Sequence, residues 1–291
     1  MEIRVLRYFL ETAREGNMTR AAERLFISQP TMSKQLKELE NELGAKLFIR
    51  SNYSIRLTEA GMLLRDRAED ILSLVDKTEA EFKSLEETNS GDIFVGAPES
   101  EAMSLFAEAV YTLQKNYPKI RCNIYSGNLS DVCDRLDKGL LDFAIVMSYV
   151  DLSKYNYLEL PMKDTWGILM RKDDPLSGKN AFDVSDLDKL PLICSRQWID
   201  QESPRWLGSA AKDMNIVATY NLVYNGSVMV KAGMGYAVVL DKLVNTGEDS
   251  ELVFRPLSSV PQTKMYVIWR KYQTFTPIAD LLLQELTARL C

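Results

Sequence analysis

Ser28, Gln29 and Pro30 fix the start of a helix, and Gly44 fixes its end. A serine before a helix accepts a hydrogen bond from a first-turn amide. Proline in that turn costs little, because its missing N–H has no intrahelical partner there. Between these limits Met32, Leu36, Leu39 and Leu43 recur at helical spacing, while Gln29, Thr31, Ser33, Lys34 and Lys37 fall on the other side. A shorter helix precedes it, with Thr19 placed as its cap and Ala21, Ala22 and Leu25 turned inward. Before that, Ile3, Leu6, Phe9, Leu10 and Ala13 share one face of a helix over 3–15 that Gly16 and Asn17 end. Two short helices joined by a tight turn make a helix-turn-helix. Residues 46–57 alternate weakly through Ser51-Asn52 and predict a small β-hairpin, a wing.

The polar side of helix 28–42 suits DNA. Short side chains near a recognition helix N-terminus can reach base edges. Gln29 can pair bidentately with adenine, and Thr31 can meet a thymine methyl or a phosphate. Ser33 and Lys34 suit phosphate, helped by the helix N-terminus itself. Lys37 alone reads equally as a solvated surface lysine. Arg50 on the wing is positioned for the flanking backbone or minor groove, with Arg56 further along. The net charge of −6 argues against this only until it is divided. Residues 1–58 hold ten basic and seven acidic side chains, a charge of +3, which leaves −9 for the remainder. A basic head on an acidic body still presents a local patch to phosphate.

From Thr58, a helix cap, the residues Leu57, Gly61, Leu64, Ala68, Ile71, Val75, Thr78, Phe82 and Leu85 step by four and three. This is a heptad seam, and Arg65, Asp66, Arg67, Glu69, Asp70, Asp76 and Lys77 cover the other faces. Its partner is either a second copy, giving a homodimer through this linker helix, or the chain's own body. Residues 88–91, Thr-Asn-Ser-Gly, read as a hinge.

Beyond residue 92 the pattern becomes α/β. Strands at Ile93–Gly96, Ile120–Tyr125 and Phe143–Met147 alternate with helices at 101–116 and 129–138, and Leu158–Pro161 looks like a crossing. A second unit has strands near 166–170, 192–194, 217–224 and 235–240, with helices near 204–213 and 227–232. Strands near 252–256 and 265–270 and a helix at 277–290 complete it. The alternation implies right-handed crossovers and a parallel sheet. Two such lobes joined by two crossings enclose a cleft suited to a small molecule.

Other chemistries are narrowed by composition. The chain has no histidine, which removes imidazole bases, Ser-His-Asp and Cys-His catalysis and most zinc chemistry. Its four cysteines, Cys122, Cys133, Cys194 and Cys291, lack metal or redox spacing. No cofactor or metal is expected. Gly233-Met234-Gly235 lacks the third glycine of a dinucleotide loop and reads as a tight turn, and Asp173-Asp174 before Pro175 as turn residues. Trp198 and Trp206 either flank a pocket or anchor a lobe. No apolar run is long enough to cross a bilayer, and residues 1–16 read as an amphipathic helix rather than a secretion signal, so a cytoplasmic location without membrane contact is expected.

The stretch Ala21-Ala22-Glu23-Arg24-Leu25-Phe26-Ile27-Ser28-Gln29-Pro30-Thr31-Met32-Ser33-Lys34-Gln35-Leu36-Lys37-Glu38-Leu39-Glu40 closely resembles the signature of LysR-type transcriptional regulators, a bacterial family. Leu43-Gly44, Leu47-Phe48, Arg50 and Leu57-Thr58-Glu59-Ala60-Gly61 continue it. Tyr117-Pro118, Leu141-Asp142-Phe143-Ala144 and Ala232-Gly233-Met234-Gly235 extend it more weakly. One departure is Tyr53, where many members carry a second basic residue three positions after the wing arginine.

The resemblance implies an α/β chain with an N-terminal all-α winged helix-turn-helix over 1–58 and a long linker (dimerisation) helix over 59–88. A two-lobed, periplasmic-binding-protein-like effector domain over 89–291 would follow, with lobe I at about 92–161 and 268–291 and lobe II at about 162–267. It implies DNA contacts by Gln29, Pro30, Ser33 and Lys34, a dimer assembling into a tetramer, and leaves RNA polymerase open as a partner. It also implies an inter-lobe pocket lined by Ser100, Asn128, Ser148 and the region Gln201–Ser203, to which the helix opening at Asn225-Gly226-Ser227 adds Asn225 and Ser227. Any one of these residues reads equally as a helix cap. Glu99, Glu101 and Glu202 would oppose an anionic effector, whereas Arg196 and Arg205 would attract one. A solute-binding protein would share the lobes without needing residues 1–58, and a histidine-free enzyme would need convergent carboxylates or a lysine with a base, a constellation absent here.

Overall fold

The computed structural model describes residues 1–50, 54–86, 90–147, 150–258 and 260–290, and the side chains of all of these except 50 and 84–86. The chain divides into two compact units, 1–82 and 83–291.

The first unit opens with α1 (Ile3–Glu15), α2 (Met18–Arg24) and α3 (Gln29–Leu43). Gly16 and Gly44 close α1 and α3 in the left-handed region, at φ 58° and 67°. The Ser28 hydroxyl accepts the Thr31 amide at the head of α3. Thr19 does not cap α2. Asn17 does, accepting the Thr19 and Arg20 amides, because it is the residue held in the extended conformation a cap requires. The hairpin β1 (Phe48–Arg50) and β2 (Ile55–Leu57) pairs antiparallel, as the wing predicted. Leu6, Phe9, Met32, Leu36, Leu39 and Leu47 form the buried centre. Ile3 and Leu43, expected inside, are 40% and 42% exposed, because each lies at a helix end that overhangs this centre.

The long helix α4 (Glu59–Glu86) is capped by Thr58, whose hydroxyl accepts the Gly61 amide and donates to the Lys46 carbonyl. Its first half packs on the head: Ala68 and Leu72 are buried with the α1–α3 residues. Arg7 and Asp76 add an ion pair between α1 and α4. Gly61 makes this packing feasible, since a Cβ there would sit 2.2 Å from the Leu47 carbonyl oxygen.

The second unit contains two five-stranded sheets. The first uses β3 (Ser90–Ala97), β4 (Lys119–Ser126), β5 (Phe143–Met147), β6 (Tyr155–Asp164) and, from far along the chain, β12 (Thr263–Arg270), in the order β4-β3-β5-β12-β6. The second uses β7 (Trp166–Arg171), β8 (Leu192–Ser195), β9 (Ile216–Tyr220), β10 (Tyr236–Leu240) and β11 (Leu252–Pro256), in the order β11-β7-β10-β8-β9. Helices α5 (Met103–Asn116), α6 (Leu129–Asp137) and α9 (Pro277–Leu290) accompany the first sheet, and α7 (Ser203–Leu207) and α8 (Val223–Lys231) the second.

Neither sheet is purely parallel, contrary to the expectation. β3, β4 and β5 run parallel, but β12 is antiparallel to both β5 and β6. In the second sheet β7 is antiparallel to β10 and β11. The reason is the double crossing: a strand that returns from one lobe to the other enters its sheet from the opposite end. The crossings lie between β6 and β7 and between β11 and β12, so the end of β6 and the whole of β12 pair in the first sheet rather than the second.

Candidate nucleic-acid interface and effector cleft

α3 turns Met32, Leu36 and Leu39 into the head and leaves Gln29, Pro30, Thr31, Lys34 and Lys37 exposed, with Ser33 half-buried. Its register is fixed partly by a carboxylate. Glu40 is 4% exposed and accepts the Leu47 and Phe48 amides at 2.9 and 3.4 Å, with Lys46 Nζ at 3.4 Å. This contact ties the end of α3 to the first wing strand and thereby sets helix against wing. In the sequence Glu40 is one acid among several, since the amides it serves lie seven and eight residues further on.

On the polar face, the Ser28 and Thr31 hydroxyls share a hydrogen bond of 2.7 Å. Lys34 lies 3.9 Å from Glu38, a loose surface pair that yields readily to phosphate. The Gln29 amide rests on the Met18 sulfur. Arg56 is exposed on β2, whereas the Arg50 side chain and Tyr53 lie outside the described residues. Other arginines of the head are committed internally: Arg24 lies 3.1 Å from Glu15, and Arg14 2.7 Å from Glu11. The three described free cysteines all have pKa values pushed up, chiefly by burial, to about 11 at Cys122 and Cys133 and about 12 at Cys194. Little thiolate therefore exists near neutrality.

Between the two sheets of the second unit lies an open cleft of about 530 Å³, the space open to solvent included. Its lining includes Glu99, Asn128, Trp166, Gln197, Tyr220 and Asn221. Of the residues named from sequence, Asn128 lines it and also caps α6 by accepting the Asp131 amide at 2.9 Å. Ser148 lies outside the described residues. Ser100 is not in the lining: it is buried, donates to Asp164 at 2.6 Å and accepts the Ala102 amide. Ser203 is buried with its hydroxyl donated to the Ile199 carbonyl, and the side-chain Oε1 of Gln201, two residues before it, is buried too. Asn225 is exposed on α8, and Ser227 donates to the Tyr224 carbonyl.

Asn225 and Ser227 do not open α8. The helix starts at Val223, and its cap comes from across the cleft: Glu99 accepts the Val223 amide at 2.6 Å. In the reverse direction Gln197 of the second lobe accepts the Leu129 amide of α6 at 3.3 Å. Each lobe thus caps a helix of the other. No local pattern could reveal this, because the partners are 124 and 68 residues apart. Of the two roles open to Trp198 and Trp206, the structure shows anchoring: neither is among the described residues lining the cleft, and Trp206 packs edge-on against the buried Trp198 and against Trp166, which does line it.

The Bacterial regulatory helix-turn-helix protein, lysR family, model matches residues 3–62, and the LysR substrate binding domain model matches residues 86–291. The HTH-type transcriptional regulator BudR of Raoultella terrigena is 29% identical over 279 residues, covering 94% of this chain and 96% of that protein. YtlI of Bacillus subtilis, also an HTH-type transcriptional regulator, is 33% identical over 230 residues, covering 77% and 74%. Among solved structures, full-length CbnR in complex with its target DNA superposes with a TM-score of 0.76 at 19% identity, covering 99% of both chains. With the helix-turn-helix model falling inside the first unit and the substrate-binding model covering nearly all of the second, the chain belongs to the LysR family of transcriptional regulators, with a DNA-binding helix-turn-helix and an effector-binding domain.

Proposed function

We propose that the head reads a specific operator through α3, with Gln29, Pro30 and Thr31 entering the major groove at the helix N-terminus and Ser33, Lys34 and Lys37 set against phosphates. Arg50 and Arg56 on the wing hold the flanking backbone. The observation that carries this reading is the division of α3 into a buried apolar face and an exposed polar one, with Ser28 capping the end that meets DNA. The solved complex of full-length CbnR with its target DNA supports this mode of use.

The α4 helices join two copies into a homodimer, and effector domains join dimers into a tetramer, so that separated half-sites are held at once. A small-molecule effector binds between the lobes, where Glu99, Asn128 and Gln197 meet, and a change in closure alters the spacing of the heads and the bend of the DNA. On this reading the DNA-binding head is 1–58, the linker helix 59–88 and the effector-binding domain 89–291. The protein acts on cytoplasmic DNA, with RNA polymerase as a further partner at the promoter. Among the described residues no helix is long and apolar enough to cross a membrane.

The test is binding of the full chain to duplexes selected from a random library. Specific affinity should fall steeply with salt, and Lys34→Ala and Arg50→Ala should each weaken binding to all sequences and flatten the salt slope by about one unit. Selection of no sequence, or unchanged affinity in both variants, overturns the assignment.

A further inference from the structure

Helix N-termini that border a ligand cleft are natural seats for a carboxylate or phosphate. Two helices of nine residues begin at this cleft, and both seats are already filled by oxygens of the protein. At α8 the seat is held by the Glu99 carboxylate, 2.6 Å from the Val223 amide. At α6 the Asn128 side chain accepts the Asp131 amide and the Gln197 carbonyl accepts the Leu129 amide. Glu99 is moreover the only charged side chain among the described lining residues, with no lysine or arginine there to offset it.

The rest of the wall has a matching character. Trp166 donates its indole N–H to Thr263 at 3.1 Å, and Tyr220 donates its hydroxyl to the Val238 carbonyl at 2.8 Å. Their polar ends are therefore committed; Trp166 is only 4% exposed, so the ring surface facing the cleft is chiefly that of the half-buried Tyr220. One carboxylate, aromatic ring surface and side-chain amides make a setting for an ammonium or guanidinium, or for a neutral polar group. An anion would meet Glu99 at close range in a medium less screening than water.

Resting on the reading of this cleft as the effector site, we infer that Glu99 sets its charge selectivity: the effector is an amine or other cationic nitrogen compound, and carboxylates are refused because Glu99 occupies the seat they need. Glu99 bonds across the lobes, so a cation drawn to it strengthens the closed arrangement. A carboxylate could enter only by expelling it.

The experiment compares the full-length wild type with Glu99→Gln, which keeps an acceptor for the Val223 amide, and Glu99→Ser, which empties the seat. Thermal midpoints are measured against millimolar benzylamine and putrescine and against benzoate and succinate, and selected operator DNA is bound by the same samples. The wild type should be stabilised by an amine and not by a carboxylate. The ratio of amine to carboxylate affinity should fall by at least about tenfold in Glu99→Gln, with carboxylates stabilising Glu99→Ser. Stabilisation of the wild type by carboxylates, an unchanged ratio in both variants, or no response to any of the four compounds overturns the inference. The DNA arm separates the two levels: wild type that binds operator while the ratio stays unchanged removes only the amine assignment, whereas wild type that binds no DNA removes the regulator's mechanism itself. If Glu99→Ser fails to fold, Glu99→Gln alone decides.

Discussion

Phe26 carries the most expensive backbone in the head: φ is +55° and its ring is 96% exposed, so no packing offsets the conformation. Asparagine tolerates this region far better than a bulky side chain. Phe26→Asn should therefore stabilise the protein by about 1 kcal/mol, read as a higher thermal midpoint, and a lower midpoint would show that the ring makes a contact in solution that offsets its strain. Asp164 gives a pH-dependent counterpart. Burial raises its carboxyl above the ordinary 3.8, opposed in part by the Ser100 hydroxyl it accepts. A raised folded-state pKa means that the protonated form is the favoured one. Its contribution is whole below pH 3.8 and is lost as pH climbs through the folded value. Asp164→Asn keeps an acceptor for Ser100 without the buried charge, so it should raise the midpoint at pH 7, and the gain should vanish as pH approaches 4. A gain that persists at low pH would assign the effect to packing instead. Neither residue stood out in the sequence. A left-handed φ on phenylalanine and a serine hydroxyl turned from a cleft toward a buried acid are settled by three-dimensional neighbours, not by local pattern. The α3 face was legible because Ser28, Pro30 and the spacing of Met32, Leu36 and Leu39 all act within one helix.

At the scale of elements, local signals served where an element's partners are close in sequence. The wing was read from weak alternation, and its strands pair as Phe48 with Leu57 and Arg50 with Ile55. α8 starts ahead of the Asn225–Ser227 expected from sequence because its cap arrives from Glu99, and the sheets depart from the expected parallel order because β12 returns from the second lobe. The seam of α4 is uniform in sequence, yet the structure divides it. Gly61 and Ala68 are buried against the head, whereas Thr78 and Phe82 are exposed. The small residue at Gly61 records the tightest approach. Gly61→Ala puts a methyl 2.2 Å from the Leu47 carbonyl, with the Leu57 side chain at 3.0 Å, and a backbone atom cannot yield as a side-chain tip can. The helix must shift, at a cost of about 1–3 kcal/mol. That loss should appear in unfolding of the full chain and should also weaken DNA binding, since α4 buttresses the first wing strand. Full stability in Gly61→Ala would mean that α4 is not seated there.

For the whole molecule, the exposed half of α4 raises the question of what covers it. Phe82, on the seam, is 68% exposed, and Leu74, next to the seam residue Val75, is 42% exposed. Apolar groups that recur along the free part of a long helix favour a helical partner, and the seam's four-three spacing is that of a coiled coil. A homodimer would cover them and would bring two heads to one DNA. The second head then binds at a high effective concentration, so affinity for a two-site operator would far exceed that of one head. The full chain should therefore behave in light scattering as a dimer or larger at micromolar concentration. Phe82→Glu, which places a charge in the seam while leaving the head's own core untouched, should shift the assembly toward monomer. Affinity for the two-site operator should drop by at least about tenfold with binding to an isolated half-site retained, because the loss lies in linkage and not in contact. A wild type that remains monomeric, or a Phe82→Glu protein that keeps both its size and its two-site affinity, would show that another surface, not this helix, joins the copies.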